Sequence, residues 1–153
     1  ISATKLISVK PFINKINNFS LTFEIISLLL FCNFYNETKN KSKKLDLITQ
    51  EIMNIFIKDL DHSFRVSGIG DMKIGKHVKT YVKKFYFRIS KLDKIFNDND
   101  FEEFITYCNE FNILNKNISN DKKIHEFYLD LRTLIQRSKS YNNPKKIYIG
   151  LFN

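Results

Sequence analysis

Apolar residues recur at intervals of three to four along most of the chain, the spacing that places them on one side of an α-helix. Polar stretches interrupt this period, as NETKNKSKK does between Asn36 and Lys44. Proline is nearly absent and glycine is scarce, which also favours helices. The pattern predicts five helices, over residues 19–36, 43–66, 72–97, 100–114 and 119–139.

The length of 153 residues and the hydrophobic content of 43% suit one ordinary domain with a single core. We therefore expect an all-α fold, with a single compact helical domain over residues 19–140. Residues 1–18 lack a clear period and contain Pro11, and we predict that they form an N-terminal arm. Residues 141–153 also break the helical spacing, and we predict an extended basic C-terminal tail.

Three of the four glycines lie between the second and third predicted helices, in the segment SGIGDMKIGK. Gly68 follows the end of an apolar stripe and fits the left-handed position that closes many helices. Gly70 lets the chain turn again, and Asp71 stands where an N-cap is expected. Gly75 removes a side chain where two helices are expected to approach closely. The segment predicts a tight helix-to-helix joint; a phosphate-binding loop is disfavoured, because neither GxxxxGK[ST] nor a preceding strand is present.

Three charged residues near the end of the second predicted helix are assigned to this joint. Asp59 lies at the edge of the apolar stripe, and a carboxylate there needs hydrogen-bond donors. We predict that Asp59 is a buried anchor, which accepts hydrogen bonds from the start of the third helix or from Lys76. Asp61 and Arg65 lie four residues apart on the far side, which predicts a surface ion pair.

The third predicted helix is strongly basic. Between Met72 and Phe96 it carries eight Lys or Arg residues against one acid, Asp93, so it supplies +7 of the net charge of +9. The composition is skewed towards Ile, Lys, Asn and Phe, as in A+T-rich genomes, so only the clustering of charge indicates an anionic partner. Phe87 projects from the lysine side, where an aromatic ring is disfavoured unless something covers it. A merely solvated helix face is the alternative interpretation.

The chain has no recognisable catalytic or metal-binding motif. Cys32 and Cys108 lie in apolar helical patterns, which predicts buried free thiols. The apolar segment 21–35 is shorter than the roughly 20 residues of a bilayer span and contains Glu24, so it predicts a buried core helix. We expect no enzyme activity, no cofactor and no metal site. The histidines fall in different predicted helices without metal-ligand spacing: His62, His77 and His125.

The segment DLDHSFRVSGIGDMKIGKHVKTYVKKFYFRISKLD resembles the signature of the ubiquinol-cytochrome c chaperone family. In that family a D-x-D-x-x-hydrophobe-R helix end leads into G-hydrophobe-G-D, then a hydrophobe and G-K, then a basic helix with an F-Y-G-R segment. The resemblance runs from Leu45 to Phe96, with Phe87 where the family usually has glycine. The matching positions are Asp59, Asp61, Phe64, Arg65, Gly68, Gly70, Asp71, Ile74, Gly75, Lys76, Phe85, Tyr86 and Arg88.

The resemblance implies a non-enzymatic, all-helical assembly chaperone for ubiquinol-cytochrome c reductase that binds newly made cytochrome b. It also implies a small helical partner, contact with the ribosomal exit site in some organisms, and a peripheral position at the membrane. The implied location is the matrix side of the mitochondrial inner membrane, or the cytoplasm in bacteria. We predict that partners contact the third helix through Lys76, Lys79, Lys83, Lys84, Phe87, Arg88 and Lys91.

A structural RNA-binding subunit of an organellar ribosome or a respiratory complex is the alternative interpretation. A cluster of lysines on one helix also suits the phosphate backbone of RNA. A steep fall of RNA affinity with salt would favour this alternative, whereas binding to apolar segments of cytochrome b would favour the chaperone.

Overall fold

The computed structural model describes residues 18–39, 43–117 and 119–138. Within these residues the chain is mainly helical, which confirms the predicted all-α fold. The predicted N-terminal arm, apart from Asn18, and the predicted C-terminal tail lie outside the described residues. The helices are α1 (Phe19–Lys39), α2 (Lys43–Val66), α3 (Asp71–Asp98), α4 (Phe101–Glu110) and α5 (Asp121–Ser138).

Helix α1 lies at the centre of the fold. It packs most extensively against α5 and α3, and also contacts α2. Its side chains are buried on nearly every side, so that Leu28, Leu29 and Leu30 are all fully enclosed. A helix with no polar face must be buried, which confirms the prediction of a core helix. Among the described residues, no helix has the length and apolar character needed to cross a membrane.

Helices α2 and α3 form a hairpin that packs on α1 through the predicted apolar stripes. Phe56 of α2 and Phe85 of α3 are both buried, with ring centroids 5.0 Å apart. Near the joint, the ring of Phe64 lies 5.1 Å from that of Phe19 and 5.2 Å from that of Tyr81. Aromatic rings from three helices therefore meet directly beneath the joint, and their packing fixes its position.

Helices α4 and α5 complete the core around Phe96, near the end of α3. The ring of Phe96 lies 5.3 Å from Phe31 of α1, 6.0 Å from Phe104 of α4 and 4.8 Å from Tyr128 of α5. Arg132 of α5 donates to the carbonyl oxygen of Phe96 at 3.0 Å. This bond satisfies a carbonyl group that the end of a helix leaves without an intrahelical partner.

Local capping sets several helix boundaries. Asn18, Asp100 and Asn120 each accept a hydrogen bond from the backbone N–H three residues ahead, at 2.8–3.0 Å. These are N-cap contacts, and they start α1, α4 and α5. The cap at Asn120 moves the start of α5 from the predicted residue 119 to Asp121.

Helix α4 ends at Glu110, before the predicted end at residue 114. The spacing of apolar residues continues past Glu110, although the backbone is no longer helical there. Asn112 has a left-handed backbone, with φ of 52°. The N–H of Ile113 donates to the carbonyl oxygen of Cys108 at 2.9 Å, which closes the helix end. Ile113 and Leu114 are buried beyond the helix rather than within it. Because these two residues are apolar and buried, they continue the helical spacing in the sequence, which led to the prediction of a longer helix.

Candidate functional site

The joint between α2 and α3 turns on Gly68. Its φ of +83° is a conformation that residues with a side chain rarely adopt. The N–H of Gly68 donates to the carbonyl oxygen of Arg65 at 3.0 Å, and the N–H of Ile69 donates to that of Phe64 at 3.1 Å. Ile69 is half-buried against the core. The predicted left-handed helix end is confirmed at this residue.

The other two glycines of the joint are less constrained than predicted. Gly70 is the N-cap of α3 with an ordinary extended backbone (φ −64°, ψ 145°), so it does not require glycine. Asp71 is the first residue of α3, and the predicted N-cap role for Asp71 is wrong. Gly75 is exposed, and an added Cβ would have no atom within 4 Å. The predicted close helix approach at Gly75 is therefore wrong.

Arg65 bridges the two helices of the joint. Its Nε donates to Asp61 Oδ2 at 2.6 Å, which confirms the predicted pair, and its Nη1 donates to Asp71 Oδ1 at 2.5 Å. The hydrogen bond and the negative charge of Asp61 raise the pKa of Arg65, and Asp71 adds to the effect. Asp71 thus serves the joint through this contact and not through a cap. All three groups are solvent-exposed to a large extent, so the cluster orients the joint more than it stabilises the fold.

Asp59 is exposed, so the prediction that it is a buried carboxylate is wrong. It lies at a groove of about 270 Å³ between α1 and α2, whose other walls include Phe19, Phe23 and Leu60. The carboxylates that contact Arg65 are those of Asp61 and Asp71. A role for Asp59 in the joint stays a prediction.

The exposed face of α3 carries four of the lysines predicted to contact partners. Lys76, Lys79, Lys83 and Lys84 are all exposed, and no acid occurs between residues 76 and 84. We call these four residues the lysine face. Phe87 follows Lys83 by one helical turn and is 51% exposed. The face therefore presents a cluster of positive charge next to one uncovered aromatic ring.

Arg88 is not part of an open surface, so its predicted contact with partners stays a prediction and would require exchange of its contact with Glu24. Its Nε and Nη2 donate to the two carboxylate oxygens of Glu24 on α1, both at 2.9 Å. The side chains are only 12% and 7% exposed. The guanidinium lies 3.6 Å from the ring centroid of Phe111, beyond α4. Arg88 thus joins α1, α3 and the α4 end.

Lys91 is also engaged within the molecule. Its Nζ lies 2.6 Å from Glu110 Oε2, and its side chain is 30% exposed. It also lies 5.3 Å from the ring centroid of Phe87. The predicted contact of Lys91 with partners stays a prediction, and it would require exchange of the Glu110 contact.

The buried pair of Glu24 and Arg88 was not identified from the sequence. In the sequence, Glu24 argues against a bilayer span. An acid within an apolar helix also indicates a buried basic partner. That signal shows that Glu24 needs a cation. It does not show which of the many basic residues supplies one.

Both cysteines are buried free thiols, as predicted, and burial raises the pKa of Cys32 and of Cys108. Burial, followed by the charge of Glu24, likewise raises the pKa of Tyr107. Such groups hold their protons at neutral pH and are poor nucleophiles. Among the described residues, no three His, Cys, Asp or Glu side chains are grouped so as to hold a metal ion.

The comparison with protein families matches the chain to a known family. The model described as "Ubiquinol-cytochrome C chaperone" matches residues 16–105, which is more than half of the chain and includes α1, α2, α3 and the joint. No curated protein and no solved structure matches the chain. On this match, and with the resemblance at the joint and the all-helical fold in agreement, the chain belongs to the ubiquinol-cytochrome c chaperone family.

Proposed function

We propose that the protein is an assembly chaperone that binds newly made cytochrome b and acts by binding rather than by catalysis. The observation that carries the proposal is the family match over residues 16–105, because this span contains both the joint and the whole lysine face. The proposed site of action is the matrix side of the mitochondrial inner membrane, or the cytoplasm of a bacterium.

The lysine face supports contact with an anionic partner at the ribosomal exit site. Four exposed lysines fall within nine residues and are not neutralised by an acid in that segment. Clustered like charges attract a polyanion, and each contact with a phosphate releases counterions. Ribosomal RNA around the exit would provide such phosphates. The chaperone would thus be held where the nascent chain emerges.

Phe87 provides the apolar element of the proposed binding surface. Its ring is half-exposed and lies among basic side chains, and cytochrome b is expected to offer apolar segments before it reaches the membrane. Contact with such a segment would cover the ring. A small helical partner is a second candidate for covering the same face.

Cosedimentation with stalled ribosomes tests the proposal. The full chain is mixed with ribosomes carrying nascent cytochrome b, and with ribosomes carrying an unrelated nascent membrane protein. We expect stronger binding to the first, and a loss of about tenfold or more when Lys76, Lys83 and Lys84 are changed to glutamate. These side chains point to solvent, so helicity and melting temperature should hardly change.

A matched control reverses three exposed lysines elsewhere, Lys58, Lys116 and Lys122, for the same change in net charge. We expect this variant to bind almost as the parent does. Equal losses in both variants would mean that net charge alone drives binding. Equal binding to both kinds of ribosome would argue against cytochrome b as the client.

The lysine face also supports the second candidate function, a structural RNA-binding subunit. In that case, RNA without a nascent chain should bind as tightly as the stalled ribosome. The logarithm of the affinity should then fall linearly with the logarithm of salt concentration. The variant Phe87→Ala separates the two functions, because it should weaken binding to a cytochrome b segment and leave RNA affinity nearly unchanged.

A further inference from the structure

A small aromatic pocket opens between α1 and α3, apart from the lysine face. Its volume is about 240 Å³, and four of its walls are aromatic rings. Tyr86 is 58% exposed, so a large part of its ring remains uncovered at the surface of the pocket. The residues around the pocket are Phe31, Phe34, Tyr35, Tyr86, Ile89, Ser90 and Asp93.

Asp93 places one carboxylate at this aromatic pocket. The hydroxyl of Tyr35 donates to Asn97 Oδ1 at 3.0 Å, and Asn97 Nδ2 donates to Asp93 Oδ2 at 3.0 Å. This chain of hydrogen bonds connects the carboxylate of Asp93 to the ring of Tyr35 in the pocket wall. Within the part of the chain that the structure describes, no Lys, Arg or His lies within ion-pair distance of Asp93. Asp93 is also the one acid between Met72 and Phe96, a segment of the sequence with eight Lys or Arg residues.

We propose that this pocket binds an arginine side chain of a protein partner. The faces of aromatic rings attract cations, and a planar guanidinium stacks on them better than an ammonium does. A carboxylate at the edge can then accept the N–H groups of the guanidinium. The volume lies below the usual range for pockets of free small molecules, which suits a single side chain.

The recognition chemistry of this pocket is opposite to that of the lysine face. The lysine face attracts anions, whereas the pocket combines one negative charge with aromatic rings that attract a cation. The pocket would therefore select a different partner, or a different segment of the same partner. The proposal does not depend on cytochrome b being the client, so either one can fail alone.

An NMR titration of the full chain tests the proposal. The probe is N-acetyl-arginine methylamide, and the matched uncharged probe is the corresponding citrulline derivative. We expect saturable shifts of the ring signals of Tyr35 and Tyr86 with the arginine probe, and about tenfold weaker binding of citrulline. Asp93→Asn should weaken arginine binding several-fold, and Tyr86→Ala should weaken it further.

Two further variants serve as controls for the charge and for the aromatic ring. Asp98→Asn removes an exposed acid from the same helix and should leave binding unchanged, whereas Tyr86→Phe keeps the aromatic face and should retain most of it. Equal binding of citrulline and arginine would overturn the proposal. So would equal losses in Asp93→Asn and Asp98→Asn. If tetramethylammonium binds as tightly as the arginine probe, the pocket is a general cation site and the assignment to arginine is wrong.

Discussion

The side chains of Glu24 and Arg88 form an ion pair that links α1 to α3. Both side chains are nearly enclosed, and the bidentate contact satisfies both carboxylate oxygens. A buried charge that loses its partner retains the cost of desolvation without the compensating attraction. A substitution that removes one of the two charges and leaves the other is therefore expected to destabilise the fold.

Changing Glu24 to glutamine keeps the shape of the side chain and removes its charge. We expect the free energy of unfolding to fall by about 3 kcal/mol, because Arg88 then lacks a counterion in a buried place. Chemical denaturation followed by circular dichroism measures this change. The control is Asp61→Asn, which breaks an exposed pair and should cost less than about 1 kcal/mol. Similar costs for the two variants would contradict the structural role given to Glu24.

The two buried thiols should make stability depend on alkaline pH. Burial raises the pKa of Cys32 and Cys108 above their ordinary value of 9.0, so the folded chain keeps two protons that the unfolded chain releases. Their contribution to stability is complete below about pH 9 and is lost as the pH rises further, by up to about 1.4 kcal/mol per pH unit for each thiol.

Denaturation of the parent and of the Cys32→Ala/Cys108→Ala variant between pH 8 and pH 11 measures this effect, and the variant should lose stability less steeply. Equal slopes would show that the thiols are not protected in the folded state. A native chain that reacts rapidly with a thiol reagent at pH 7 would lead to the same conclusion.

At the scale of elements, three helix ends close in the same way. Gly68, Asn99 and Asn112 each adopt a left-handed backbone, at φ of 83°, 53° and 52°. Asparagine tolerates this conformation better than most residues, which explains why only one of the three ends uses glycine. A sequence pattern that looks for glycine alone finds the α2 end and overlooks the ends of α3 and α4.

The backbone conformation requires glycine at Gly68 but not at Gly75, and substitutions at these two residues test the difference. Gly68→Ala should lower the free energy of unfolding by about 1–2 kcal/mol, because alanine is disfavoured at φ of +83°. Gly75→Ala should raise it by about 0.5–1 kcal/mol, because the residue lies within α3 and its added methyl group meets no atom. Thermal or chemical unfolding of the two variants gives the comparison. A loss at Gly75 equal to that at Gly68 would contradict this account.

At the scale of the whole molecule, α1 couples the other helices, since it contacts α2, α3 and α5. We therefore expect the described helices to unfold as one cooperative unit. The chain has no tryptophan and seven tyrosines, so tyrosine fluorescence can report tertiary structure and far-ultraviolet circular dichroism can report helix content. Coincidence of the two transitions would support the single helical domain predicted over residues 19–140.

Truncation of one residue on α1 tests the same coupling. Leu28→Ala should shift both transitions together and cost about 2–5 kcal/mol, because Leu28 is fully buried. Leu129→Ala on α5 is the control, since Leu129 is 47% exposed and its loss should change stability by less than about 0.5 kcal/mol. Separate transitions, with only one of them sensitive to Leu28, would show that the chain has two independent units.

The amino-acid sequence was sufficient to locate the five helices to within a few residues and to identify the apolar face of α2 and of α3. The period of three to four, the left-handed position at Gly68 and the pair of Asp61 with Arg65 all depend on residues within a few positions of one another. The exposure of Lys76, Lys79, Lys83 and Lys84 could be predicted for the same reason. A side chain on the side of α3 opposite its own apolar stripe faces away from the helices that cover that stripe.

Contacts between residues that are distant in the sequence depend on how the helices pack. In the sequence, Arg88 is a basic residue of α3 like the exposed lysines. In the structure it pairs with Glu24, 64 positions earlier, and is therefore largely buried. The free space at Gly75, the exposure of Asp59 and the aromatic pocket beside Asp93 also follow from the placement of α1 against α2 and α3. Local periodicity specifies the face of one helix, but it contains no information on the rotation and offset of its neighbour. Those depend on how side chains from separate helices fill a common core.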